Sequence, residues 1–280
     1  MLKKFINENK ATRNYDKLSL FDISEKGKRS EFIDYLATLI TQSYRDIDFL
    51  KEAFSGETKE ALFKYLSDEV FPEGEDLLTR NVKKGDWGEI LTTDLIKQFE
   101  NNMIVPFNKL MWKLNRQKSM FCTDVFAHNN TSPISLLKYY EVKTYTSKRK
   151  DLGVFAHNSL LKDQESGQQA IADMLSRKHF ENGKLLEDAG NENKAKEHFK
   201  IGKDYNEIVR KPESFEQEFE IVLIREKGSY VEDELNDLNN LPPKFSPMHV
   251  TLFLVDNLDN LIKESFTVAF EKIWKEVNGS

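Results

Sequence analysis

The clearest structural signal lies in the middle of the chain. It reads Leu137-Lys138-Tyr139-Tyr140-Glu141-Val142-Lys143-Thr144-Tyr145-Thr146. Successive side chains of a strand point to opposite faces, so Glu141 and Lys143 share one face while Val142 points the other way, toward a core. The pattern predicts a strand over 137–146 that carries charged groups on one side only.

The neighbouring segments surround this strand with helices and further strands. Three- and four-residue spacing of apolar positions predicts helices, whereas alternation and turn composition predict strands. Residues 1–30 are polar and predicted to be irregular, apart from Ser30 as a helix N-cap. The predicted helices are 30–50, 57–70, 86–99, 164–210 and 258–277, and the further strands are 110–114, 120–127, 219–225 and 249–256.

This order of elements predicts an α/β fold with a mixed sheet flanked by helices. Residues 1–79 are predicted to form a helical N-terminal extension. Residues 80–280 are predicted to form the main domain, with the helical segment 164–210 inserted in it.

The composition limits the class of protein. The chain has 280 residues, of which 39% are hydrophobic and 31% charged, enough for a large core. It lacks an apolar run of membrane-spanning length and has one cysteine, Cys122, so we expect a cytoplasmic protein with no membrane association. The net charge of −6 argues against strong independent binding to nucleic acid.

Acidic residues on two adjacent predicted strands form the candidate site. Asp124 lies within the apolar strand 120–127, and a hairpin would place it beside Glu141. Clustered carboxylates repel one another unless a cation neutralises them, and an all-oxygen set suits Mg²⁺ or Mn²⁺. Lys143 would orient a water or stabilise developing negative charge. The alternative is an edge strand with a solvated Glu/Lys face.

Two further features are open to more than one interpretation. Asp86 and Glu89 are three residues apart at a predicted helix start, which favours a capping box, although Glu89 could also face the cleft. The basic run Lys148, Arg149 and Lys150 follows the Glu141 strand and would either bind a DNA backbone or form a solvated turn. The acidic segments 181–197 and 231–234 are predicted to be solvated.

The order of these residues resembles the PD-(D/E)xK nuclease superfamily, whose fold is that of restriction endonucleases. The stretches 84–91, 122–125 and 140–144 are more closely similar to the HamA family, the nuclease effectors of bacterial Hachiman anti-phage systems. Thr123 stands where the superfamily has proline.

The resemblance implies a Mg²⁺-dependent deoxyribonuclease that is restrained and activated by a partner helicase of the HamB type. It implies catalytic roles for Glu89, Asp124, Glu141 and Lys143, with the three acids as metal ligands. Either Gln168 or Gln169 would complete the site.

Two other functions remain open from the sequence. The chain could be a non-catalytic interaction subunit of a helicase complex, with a nuclease fold used for binding. It could also be a restriction-type endonuclease, although no recognisable base-reading module supports that function.

Overall fold

The computed structural model describes residues 2–8, 18–25, 27–113, 115–117, 123–166, 168–236, 238 and 248–279, with the side chains of 163–168 left aside. The helices are α1 (Arg29–Tyr44), α2 (Ile47–Phe54), α3 (Lys59–Tyr65), α4 (Leu77–Phe99), α5 (Leu152–Ser166), α6 (Gln168–Asp188), α7 (Glu192–Arg210), α8 (Asp233–Asn236) and α9 (Leu258–Asn278). The strands are β1 (Ile6–Glu8), β2 (Leu18–Ile23), β3 (Met103–Ile104), β4 (Val125–Asn129), β5 (Leu136–Tyr145), β6 (Glu216–Glu226) and β7 (Met248–Val255).

Across these described residues, seven strands form one mixed sheet in the order β1-β2-β7-β6-β5-β4-β3. Strands β2, β7, β6 and β5 run parallel, and β4 is antiparallel to β5. The predicted α/β class with a mixed sheet and flanking helices is therefore confirmed.

Helices cover both faces of the sheet. On one face, apolar residues of α1, α4 and α9 pack with the side of β5 that carries Tyr140 and Val142. On the other face, α5, α6 and α7 pack against the side that carries Leu137 and Tyr139. Parallel strands buried on both faces read as nearly continuous apolar sequence, as β6 and β7 do.

The N-terminal part differs from its prediction in three ways. It contains the predicted helices, but the expectation of irregular structure is wrong where β1 and β2 join the sheet. The predicted single helix over 30–50 is two helices, separated before Ile47 by Asp46, whose carboxylate caps α2. Helix α1 begins without a side-chain cap, so Ser30 is not the N-cap.

The start of α4 also corrects a prediction. Asp76 caps this helix by accepting a hydrogen bond of 2.9 Å from the N–H of Thr79. Asp86 therefore lies inside the helix and is not a cap. Helix α4 spans residue 80, where the sequence predicts a domain boundary, and that boundary remains a prediction.

Helix α4 approaches the sheet closely at Gly88. A Cβ atom added there would overlap the hydroxyl of Thr144 and press on Val142. Only glycine leaves room for the helix at this height above β5. The close approach fixes Glu89, the next residue, near the centre of the sheet.

Candidate functional site

Asp124 immediately precedes β4, which begins at Val125. It therefore lies just before the strand and not within it, as the predicted strand 120–127 would have it. Residues 118–122 lie outside the described residues. The register pairs Val125 with Tyr140, so Asp124 follows on beside Glu141, as the hairpin prediction expects. Its Oδ2 accepts a hydrogen bond of 2.8 Å from the N–H of Val142.

The charges around Asp124 set its protonation. Burial alone would raise the pKa of Asp124, but the positive charges of Lys109 and Lys143, together with the N–H of Val142, lower it below its ordinary value. Asp124 is therefore a carboxylate at neutral pH.

Glu141 and Lys143 share one face of β5, as the alternation predicts, and form an ion pair. Strand β5 lies between β4 and β6, and the Glu141 side chain is only 3% exposed. The alternative of a solvated edge strand is therefore wrong. Burial would lower the pKa of Lys143, but the carboxylates of Asp124 and Glu141 raise it above its ordinary value. Lys143 is thus an ammonium group beside two acids.

Glu89 extends from α4 toward Asp124 but does not contact it directly. Its Oε1 pairs with Lys109 Nζ at 3.0 Å, while its buried Oε2 has no hydrogen-bond partner. Burial and the nearby carboxylates of Asp124 and Asp86 together raise the pKa of Glu89 to about 8, against the opposing charge of Lys109. Glu89 is therefore a much weaker acid than Asp124, whose pKa is lowered.

Lys109 joins Glu89 to Asp124 and was not predicted from the sequence. The region 110–114 is predicted as a strand, but Leu110, Met111 and Trp112 belong to a 3₁₀ helix, Lys109–Trp112, and residue 114 lies outside the described residues. Lys109 Nζ lies 3.0 Å from Glu89 Oε1 and 3.2 Å from Asp124 Oδ1, and it also donates to the carbonyl oxygen of Thr123 at 3.2 Å. The one indication in the sequence is indirect: two acids predicted to be buried near each other need a cation, but the sequence does not show which lysine supplies it.

Lys113, at the end of the same 3₁₀ helix, forms a second buried ion pair, with Asp86. The hydroxyl of Tyr44 donates to Asp86 at 2.7 Å. Burial raises the pKa of Asp86 despite the charge of Lys113. This pair anchors α4 to the segment that carries Lys109.

The carboxylates have the chemistry of a divalent-cation site. Asp124 and Glu141 offer hard oxygen ligands, and Mg²⁺ is commonly held by one or two carboxylates plus water and substrate phosphates. Within the described ranges, however, no three side chains of His, Cys, Asp or Glu lie close enough to hold one metal ion. Asp124 and Glu141 are the residues that would hold it, while Glu89 is engaged by Lys109.

The basic run after β5 is partly engaged in structure. The guanidinium of Arg149 lies 4.0 Å from the ring centroid of Phe155 and pairs with Asp151 at 2.9 Å. Lys148 and Lys150 are exposed. Phe155 also lies 5.2 Å from Lys143 Nζ, so it links the run to the site, a connection the sequence did not reveal.

A buried ion pair holds this turn in place. Arg225 and Glu234 are fully buried and pair at 2.6 Å, and Arg225 also donates to the carbonyl of Ser147 at 2.8 Å. The prediction that 231–234 is solvated throughout is therefore wrong at Glu234.

The prediction that Gln168 or Gln169 completes the site stays a prediction. Gln169 is exposed on α6, and the side chain of Gln168 lies outside the described residues. None of the helices in the described ranges combines the length and the apolar character needed to cross a membrane.

Comparison with known proteins identifies one family. The family model described as HamA matches residues 1–269 of the chain. A search of curated proteins finds no match.

Proposed function

This chain belongs to the HamA family of Hachiman anti-phage defence, and from that membership we propose that it is a metal-dependent DNA nuclease whose activity a partner helicase controls. The observation that carries the nuclease assignment is the hydrogen bond from the N–H of Val142 to Asp124. It attaches one carboxylate to the backbone between Glu141 and Lys143, so the three charged side chains belong to one rigid hairpin.

The site residues have distinct tasks in this proposal. Asp124 and Glu141 hold a Mg²⁺ or Mn²⁺ ion, which when bound supplies positive charge to a phosphoryl oxygen and makes a water more acidic. Lys143 keeps its proton because two carboxylates raise its pKa. We therefore assign it the stabilisation of negative charge that develops on the phosphate, and not the role of a general base.

The DNA substrate needs a second source of affinity. The net charge is −6, and affinity for DNA arises largely from neutralised phosphates. Lys148, Arg149 and Lys150 lie next to the site and contact the DNA backbone in this proposal. The helicase supplies the remaining affinity and delivers DNA, and the α6–α7 hairpin together with α1–α3 are the surfaces we propose for its docking.

A non-catalytic interaction subunit is the second candidate function. Lys109 forms ion pairs with two acids of the site, Glu89 and Asp124, and this arrangement favours a metal-free fold used for binding. The two functions differ in whether the Glu141 carboxylate is needed for DNA cleavage.

The test compares Glu141→Gln with the parent chain, each co-purified with the proposed helicase partner. Cleavage of linear and circular DNA is measured with Mg²⁺, with and without ATP. We expect Glu141→Gln to lower the cleavage rate about a hundredfold or more, because it removes one of the two proposed metal ligands and with it the charge stabilisation that the metal would supply.

Glu220→Gln is the matched control. Glu220 is also a buried glutamate of the sheet and pairs with Lys138 at 2.8 Å, but it packs on the opposite face. It should cut DNA like the parent. Full activity of Glu141→Gln would exclude this site, and a parent complex that cuts no DNA under any of these conditions would favour the interaction subunit.

A further inference from the structure

The ammonium group of Lys109 is fully engaged by acceptors. Its three N–H donors meet three oxygen atoms, at 3.0 Å for Glu89, 3.2 Å for Asp124 and 3.2 Å for the carbonyl of Thr123. An ammonium group has three donors and no acceptor, so its hydrogen-bonding capacity is used completely. The side chain is 5% exposed, so water contributes little to its solvation.

The surrounding space leaves no room for a second cation. The cavity lined by Glu89, Lys109 and Asp124 has a volume of about 10 Å³. That is room for one water molecule at most, whereas Mg²⁺ usually retains several waters when it binds to a protein. A hydrated divalent cation therefore does not fit between Glu89 and Asp124 while Lys109 stays in place.

The local charge leads to the same conclusion. Glu89, Asp124 and Glu141 face the ammonium groups of Lys109 and Lys143. These five groups leave at most one negative charge, which is too little to neutralise a divalent cation. Displacement of Lys109 would restore the balance, because the cation would then take over the carboxylate that the lysine neutralises.

We propose that Lys109 is an internal counter-cation that holds Glu89 and Asp124 together in the metal-free site and competes with a divalent metal ion for Asp124. It is a positioning residue and does not contact the substrate. The inference rests on the proposed function, since it assumes that Asp124 is a metal ligand. It adds a control step, in which the metal gains Asp124 Oδ1 as a ligand only when Lys109 leaves that oxygen.

The test measures the binding of MnCl₂ by calorimetry to the full chain, as purified with its helicase partner. Lys109→Met removes the ammonium group and keeps a side chain of similar length. It should bind Mn²⁺ at least about tenfold more tightly than the parent, equivalent to about 1.4 kcal/mol. In EDTA the variant should melt at a lower temperature than the parent. Mn²⁺ should raise the melting temperature of the variant by more than it raises that of the parent.

Lys113→Met is the matched control. Lys113 is a buried lysine of the same segment and pairs with Asp86, not with Asp124. Its loss should lower the melting temperature and leave the Mn²⁺ affinity unchanged. Lys109→Gln is a second variant that retains hydrogen-bond donors without charge, and it should also bind Mn²⁺ more tightly if Lys109→Met does not fold.

Two results would overturn the inference. Mn²⁺ affinity that is unchanged or weaker in the Lys109 variants would show that the lysine does not compete with the metal. Equal gains in the Lys109 and Lys113 variants would show a general effect of charge. Neither result touches the nuclease assignment, which the Glu141→Gln cleavage assay decides separately.

Discussion

Asp124 accepts a hydrogen bond of 2.8 Å from the backbone N–H of Val142, the residue that separates Glu141 from Lys143. Val142 itself points into the core on the opposite face of β5. A residue that contributes no functional side chain thus holds Asp124 in register with its neighbours. The hydrogen bond depends on the backbone, so exchanging the Val142 side chain does not remove it.

We predict that Asp124→Asn destabilises the metal-free chain by about 1–3 kcal/mol, the usual loss for a hydrogen bond to a charged group. The carboxylate pairs with Lys109, and its pKa is lowered by Lys109 and Lys143 even though burial opposes this. Repulsion between the carboxylates of Asp124 and Glu141, expected from the sequence, would by itself make the variant as stable as the parent or slightly more stable. Lys109 reverses that expectation.

The pH dependence of this effect follows from the lowered pKa. The extra stability of the parent is complete above the ordinary value of 3.8 and is lost as the pH falls through the lower pKa of the folded state. Urea unfolding in EDTA at pH 7, 5 and 3 would measure it. A parent and variant that differ equally at all three pH values would contradict the assignment.

For Glu89→Gln we predict a flatter profile of stability against pH. Burial raises the pKa of Glu89 from its ordinary 4.5 to about 8, so the folded state binds a proton that the unfolded state releases between these values. The free energy of unfolding of the parent therefore falls as the pH rises through this window, and the variant lacks that contribution.

The measurement is urea unfolding in EDTA at pH 5, 7 and 9. Glu207→Gln, at an exposed position of α7, is the control and should follow the parent. Parallel profiles for parent and Glu89→Gln would show that Glu89 does not titrate in this range.

Breaking the Arg225–Glu234 pair should strongly destabilise the chain. Both side chains are fully buried, so Glu234→Gln leaves the guanidinium charge of Arg225 without its carboxylate. Removing one partner of a buried pair usually costs about 3–5 kcal/mol. Thermal melts of Glu234→Gln and of a control would measure this loss. The control is Arg210→Gln, which breaks an exposed pair with Glu207 and should change stability by less than about 1 kcal/mol. Equal losses of stability in Glu234→Gln and Arg210→Gln would mean that burial does not set the strength of the Arg225–Glu234 pair.

Neutralising the basic run should weaken DNA binding with little effect on folding. Lys148→Gln and Lys150→Gln each remove one charge from an exposed position. Each lost phosphate contact should reduce the slope of log affinity against log salt by about 0.9. Fluorescence anisotropy of the chain, together with the proposed helicase partner, on labelled DNA at several NaCl concentrations would measure this slope. Lys184→Gln, exposed near the end of α6, is the control. An unchanged slope in all three variants would remove the run from the DNA surface.

The parts of the fold that could be predicted are those determined by residues close together in the sequence. The two-residue period of β5 was sufficient to place Glu141 and Lys143 on one face, and the turn composition before it was sufficient to predict the hairpin that brings Asp124 beside Glu141. Their catalytic roles remain predictions. These features depend on residues that are close in sequence, so the pattern reflects them directly.

The features that escaped prediction depend on distant residues. The run Leu110-Met111-Trp112 resembles a strand, but tertiary packing makes it a 3₁₀ helix, since Lys109 and Lys113 pair with acids of α4. Strand β2 lies in a polar region of the sequence, and its neighbour β7 lies more than 200 residues away along the chain. Nothing in either local sequence indicates the partner.

The position of β7 has a consequence for how the protein is made in the cell. Strand β7 lies between β2 and β6, so it alone connects the β1–β2 pair to the rest of the sheet. Because Leu18–Ile23 precedes Met248–Val255 by more than 200 residues, β2 leaves the ribosome well before β7 is synthesised. The early strands therefore wait with an unpaired edge, the kind of surface that chaperones protect. We expect the seven-stranded sheet to form only after β7 has been translated, so that a nascent chain interrupted before β7 cannot join β1 and β2 to the other strands.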